Sequence, residues 1–81
     1  MQAYPNRAGN SGVIAYAIGD DCICVRFVDG ADYLYTYRSA GRANVECMKR
    51  LARAGRGLSS FISRHVKDRY ASKSPVSRQP K

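Results

Sequence analysis

Six cationic side chains, Lys49, Arg50, Arg53, Arg56, Arg64 and Lys67, have the type and spacing to do chemistry in this 81-residue chain, and that chemistry is phosphate recognition. The planar fork of arginine matches phosphate oxygens with two parallel hydrogen bonds, and lysine adds a compact point charge. At ~100° per residue, Arg42, Glu46, Lys49, Arg50, Arg53 and Arg56 fall within one arc of a helix. Val45, Met48, Leu51 and Ala52, with Cys47 and Ala54, fall on the other half of the wheel. Five cations thus share the arc with Glu46 alone, an imbalance that a merely solvated face does not need. Arg64 and Lys67, three apart, share the outward side of a second helical segment. Contacts of this kind fix a nucleic-acid backbone without reading its bases.

The tyrosines Tyr33, Tyr35 and Tyr37 are the second candidate set. At two-residue spacing their rings share one face of a strand, either as a stacking surface for bases or as core with hydroxyls at the rim. The hairpin register separates the two. A two-residue turn at Asp29-Gly30 pairs Arg26 with Tyr33, whereas a three-residue loop Val28-Asp29-Gly30 pairs Val25 with Tyr33, Ile23 with Tyr35 and Arg26 with Asp32. The second register puts every large apolar residue on one face and two opposite charges on the other, so the tyrosines read mainly as core.

Other reactive types lead nowhere catalytic. His65, the single histidine, sits among Arg64, Lys67 and Arg69 with Asp68 as the nearest acid on its own segment, and reads as a half-buried helix residue. Ser59, Ser60 and Ser63 lie in no Gly-x-Ser-x-Gly elbow, and Gly55-Arg56-Gly57 lacks the order of a phosphate loop. Cys22, Cys24 and Cys47 lack the short knuckle spacing of zinc sites and read as small reduced hydrophobes. The chain is therefore expected to be no enzyme and to hold no metal or cofactor.

The elements that must position the cations follow from the hydropathy pattern. Residues 1–10 read as a loose leader, and Val13 to Ile18 as a strand whose bulkier face is Ile14, Tyr16 and Ile18. After a turn at Gly19-Asp20-Asp21 come the Cys22–Val28 strand and the tyrosine strand, completing an antiparallel meander. Arg38-Ser39-Ala40-Gly41 ends the sheet, with Ser39 or Gly41 capping the basic helix, which Gly55 and Gly57 terminate. Ser59 or Ser60 caps a second helix running to Tyr70, with Leu58, Phe61, Ile62, Val66 and Tyr70 buried. Residues 72–81, with two prolines and one large apolar side chain, read as a disordered basic tail. The fold class is α+β, a three-stranded antiparallel meander with two helices packed on one face, βββαα, over residues 11–71.

Charge is spread unevenly. Residues 1–40 carry three basic and four acidic groups, residues 41–81 eleven basic and two acidic, so a polyanion held by the C-terminal half is the expected partner. No run approaches the ~20 apolar residues of a membrane helix, and the first residues lack the apolar stretch of a signal peptide, which points to the cytoplasm and away from membranes. An acidic protein surface is the alternative partner.

The order Phe27-x-x-Gly30-x-x-Tyr33-x-Tyr35, a helix, and then Phe61-Ile62-Ser63-Arg64-His65-Val66-Lys67-Asp68-Arg69-Tyr70 resembles the KTSC domain family. That is a small domain with a central Tyr-x-Tyr motif, found alone in bacteria and phages and at the C-terminus of some lysyl-tRNA synthetases. The resemblance spans residues 11–70. It implies a fold and a lead toward nucleic acid, RNA more than DNA, and it supplies no catalytic residue.

Overall fold

The hairpin after Phe27 sets the register of the whole sheet. Gly30 takes φ 88°, where a Cβ would be strained, and its N–H donates to the Phe27 carbonyl at 3.0 Å. The resulting three-residue connection pairs Val25 with Tyr33, Ile23 with Tyr35 and Arg26 with Asp32 across β3 (Cys22–Phe27) and β4 (Ala31–Thr36). Arg26 and Asp32 meet at 2.8 Å on the sheet face turned away from the core, while Ile23, Val25, Phe27, Tyr33 and Tyr35 share the other face. Leu34, opposite Cys24, is the one large apolar residue of the two strands left on the outer face, against the expectation that all would lie inside. The favoured register is the one present.

The computed structural model describes residues 2–5 and 12–75. Among them the protein is α+β, as expected, but its antiparallel sheet has five strands in sequential order rather than three. β1 (Gln2–Ala3) pairs with β2 (Val13–Ile18), and β5 (Ser72–Pro75) pairs with β4. The loose-leader reading fails at residues 2–5 because one aromatic outweighs their polar composition. Tyr4 is 5% exposed, its N–H donates to the Ile14 carbonyl at 3.0 Å, and its hydroxyl accepts from the Leu58 N–H at 3.4 Å. The disordered-tail reading fails at residues 72–75 because an edge strand needs a ladder, not a core. Lysine and proline suit an edge, where they deter further pairing. The rest of both readings, at residue 1, residues 6–10 and residues 76–81, lies outside the described residues.

A bulge in β2 between Val13 and Ala15 alters the bulky face of that strand at one position, while Tyr16 and Ile18 keep to the core side. It swings Ile14 out, to 46% exposure, and brings Val13 into the core at 1%.

Thr36 ends β4 by capping a single helical turn, α1 (Tyr37–Ala40). Its hydroxyl accepts from the Ser39 N–H while the Ser39 hydroxyl accepts from the Thr36 N–H, both at 3.0 Å. Ser39 therefore closes this turn and does not cap the basic helix. Gly41, at φ 95° and ψ 139°, where a side chain is strained, separates α1 from α2 (Arg42–Ala54). α2 lays Val45, Met48 and Ala52 on β3 and β4 and ends at left-handed Gly55.

The second helix is shorter than the periodicity suggests, and neither Ser59 nor Ser60 caps it. α3 (Leu58–Phe61) starts after Gly57 and runs into a π-helical turn, Ile62–Val66, closed by the Lys67 N–H on the Ile62 carbonyl. Leu58, Ile62 and Val66, four apart, keep one buried stripe. The break at Lys67, φ 30°, releases Tyr70 from the helix to sit edge-on to Tyr33 and Tyr35, with centroids 5.0 and 6.2 Å away.

Candidate nucleic-acid interface

Folding sorts the charges by layer. Residues 12–36, the three central strands and their turns, carry one basic and four acidic side chains; residues 37–69, the helical layer, carry nine basic and two acidic. Arg42, Arg50 and Arg53 are exposed on α2, Arg56 in the loop after it, and Arg64, Lys67 and Arg69 around the π-helical turn. Five of the six expected phosphate ligands are thus at the surface of one layer. The chain reversal at Gly55 and Gly57 divides them between the end of α2 and the end of the π-helical turn.

The sixth, Lys49, is not a free cation. It is 6% exposed, and its Nζ donates to the Asp20 carbonyl at 3.0 Å and to Glu46 Oε2 at 2.8 Å. The Tyr37 hydroxyl donates to the same carboxylate oxygen at 2.5 Å. The helical wheel placed Lys49 in the basic arc, but on the flank that meets the β2–β3 turn. A long aliphatic stem there buries well while its ammonium finds oxygens. The Lys49 hydrogen bond, and then that of Tyr37, hold the Glu46 carboxyl below its usual range; Glu46 in turn raises Lys49 and Tyr37. This cluster ties α2 to the sheet and uses up the one acid on that helix.

The tyrosines are structural. Tyr35 is 1% exposed, and burial, then the neighbouring Tyr33, Tyr70 and Asp68, push its phenol up to about 12. Tyr33 is flanked by Phe27 at 5.1 Å, by Tyr70, and by the Lys73 ammonium 5.2 Å above its ring. Tyr37 is not in the strand at all, and the Arg42 guanidinium and Lys49 ammonium lie 5.7 and 5.6 Å from its ring centre. Tyr35 is closed to base stacking, and the half-buried rings of Tyr33 and Tyr37 already hold cations of the protein itself.

An open groove of about 830 Å³ lies between α2 and the β1–β2 side of the sheet, lined by Gln2, Tyr16, Ala17, Ile18 and Arg53. Sequence reasoning found Arg53 but missed the other four, because Gln2 enters only through the pairing of β1. The buried Tyr4 carried the available signal. No family model, curated protein or solved structure matches the chain.

His65 is exposed rather than half-buried, its ring 4.5 Å from that of Phe61. The three cysteines are free and half-buried, with the Cys24 thiol raised chiefly by burial. Among the described residues no three of His, Cys, Asp or Glu are grouped as a metal site, and no helix is long and apolar enough to cross a membrane.

Proposed function

We propose that the protein is a non-enzymatic nucleic-acid-binding module, working in the cytoplasm and taking RNA in preference to DNA. It contacts backbone phosphates through Arg50, Arg53, Arg56, Arg64 and Lys67, with Lys49 positioning the helix that carries the first three. The observation that supports it best is the segregation of charge: nine cations against two acids in the helical layer, with one of those acids already paired inside the Lys49 cluster. A protein folded only for stability gains nothing from gathering like charges on one side. The resemblance to KTSC domains favours RNA.

The test is a salt series with a labelled single-stranded RNA followed by fluorescence anisotropy. Neutralising ~4 to 5 phosphates gives a log-log slope of ~3 to 4 in magnitude. Replacing Arg53 and Arg56 by Gln lowers that slope by about one to two without unfolding the protein. Binding absent at low salt, or a double variant indistinguishable from wild type, removes the nucleic-acid reading and leaves docking on an acidic protein.

A further inference from the structure

The groove beside α2 joins three recognition groups of different chemistry. Arg53 supplies an exposed guanidinium at one wall, and Gln2, exposed on β1, supplies an amide that both donates and accepts. The third group is backbone. The Gly19 N–H donates across to the Cys22 carbonyl at 2.9 Å, so the N–H and C=O of Ile18, the preceding residue, point to the opposite side, toward β1. β1 pairs only as far as Gln2 with Tyr16, which leaves Ile18 without a ladder partner among the described residues. A donor and an acceptor therefore border the groove that Gln2 also lines.

We propose that this groove is a subsite for single-stranded RNA, with the Arg53 guanidinium holding a backbone phosphate while the Gln2 amide and the Ile18 backbone edge meet a ribose 2′-hydroxyl. This rests on the nucleic-acid reading above and narrows it. The 2′-hydroxyl is itself donor and acceptor, so it complements both partners, and it is the group that separates RNA from DNA. A duplex is a stiff rod that presents its phosphates on the outside and can only touch a ridge. A flexible strand can lower one nucleotide between a helix and a sheet edge.

The experiment compares three labelled probes at one low salt concentration: a 12-nucleotide uridine RNA, the same strand as 2′-deoxyuridine, and a 12-base-pair RNA duplex. Wild type should hold the RNA strand about three- to tenfold more tightly than the deoxy strand, the worth of one hydrogen bond. Gln2→Ala should shrink that ratio toward one, and Arg53→Gln should weaken both single strands about tenfold. Arg64→Gln, outside the groove, should weaken strand and duplex alike. All three residues are exposed, so no variant's thermal midpoint should fall below that of wild type, which confirms folding. If Gln2→Ala leaves the ratio unchanged, or Arg53→Gln behaves as Arg64→Gln does, the groove is not the subsite, although general phosphate binding stands. Binding of none of the probes overturns both.

Discussion

At the scale of single residues, Lys49 and Tyr35 show how burial reassigns a side chain that type alone would place at the surface or rim. Tyr35 reaches from β4 across the core to the end of the π-helical turn, its hydroxyl donating to the Lys67 carbonyl at 3.4 Å. Tyr35→Ala should cost about 3–5 kcal/mol through the cavity it leaves. A domain of this length holds roughly 4–12 kcal/mol in total, so urea denaturation should find the variant barely folded. Because burial raises the phenol in the folded state, the unfolded chain releases that proton first. Stability present below pH ~10 should then fall as pH rises toward about 12, where the folded phenol titrates. Absorbance of tyrosinate should rise with unfolding and not ahead of it for this ring. Lys49→Gln makes the opposite point to Arg53→Gln. It should lower the thermal midpoint, because Glu46 and the Asp20 carbonyl lose their shared donor, while leaving the salt slope of RNA binding unchanged under folding conditions. Depression of the Glu46 pKa stabilises the fold above the usual carboxylate range, and that contribution should disappear as pH falls through the lowered value.

At the scale of elements, the parts legible in the sequence are those that bury a regular stripe. The β3–β4 register followed from apolar alternation and the Gly30 loop, and α2 from its 3.6-residue period. What escaped notice obeys no period. β1 leads into Tyr4, the one buried side chain of residues 2–5, β5 is held by a backbone ladder without an apolar period, and the β2 bulge shifts Val13 and Ile14 against strict alternation. The π-helical turn is equally silent, because Leu58, Ile62 and Val66 fit an ordinary helix as well. Of the candidate site, the arginines were visible as an arc. The Lys49 cluster and the groove were not, since both depend on which flank of α2 meets the sheet. β5 gives this scale its prediction. Ending the chain after Ala71 should destabilise the domain by ~2 kcal/mol and turn β4 into a bare edge. Size-exclusion chromatography of the truncated chain should then show more self-association than wild type. An unchanged midpoint and elution volume would mean that the ladder contributes nothing.

At the scale of the whole molecule, charge segregation that favours a polyanion must also strain the free protein. The helical layer gathers its cations on one side of a body 39 × 28 × 21 Å, so many like charges lie closer than the ~30 Å screening length of 0.01 M salt. At 0.15 M that length falls to ~8 Å, and exposed arginines farther apart than this cease to repel. The favourable pairs respond less. Lys49–Glu46 and Arg26–Asp32 are each at 2.8 Å and partly shielded, well inside the screening length at either concentration. Repulsion is therefore the component that salt removes. The thermal midpoint of the wild-type protein should rise as sodium chloride goes from 0.01 to 0.15 M, a range too low for salting-out of apolar surface to contribute much. Replacing Arg50, Arg53 and Arg56 together by Gln should raise the midpoint at 0.01 M and flatten its dependence on salt, while removing most RNA affinity. A short RNA strand should supply the same relief as the substitutions, raising the wild-type midpoint at low salt and leaving that of the triple variant where it was. If the wild-type midpoint falls with salt, the ion pairs outweigh the repulsion, and the basic layer does not carry the strain that a phosphate backbone would relieve.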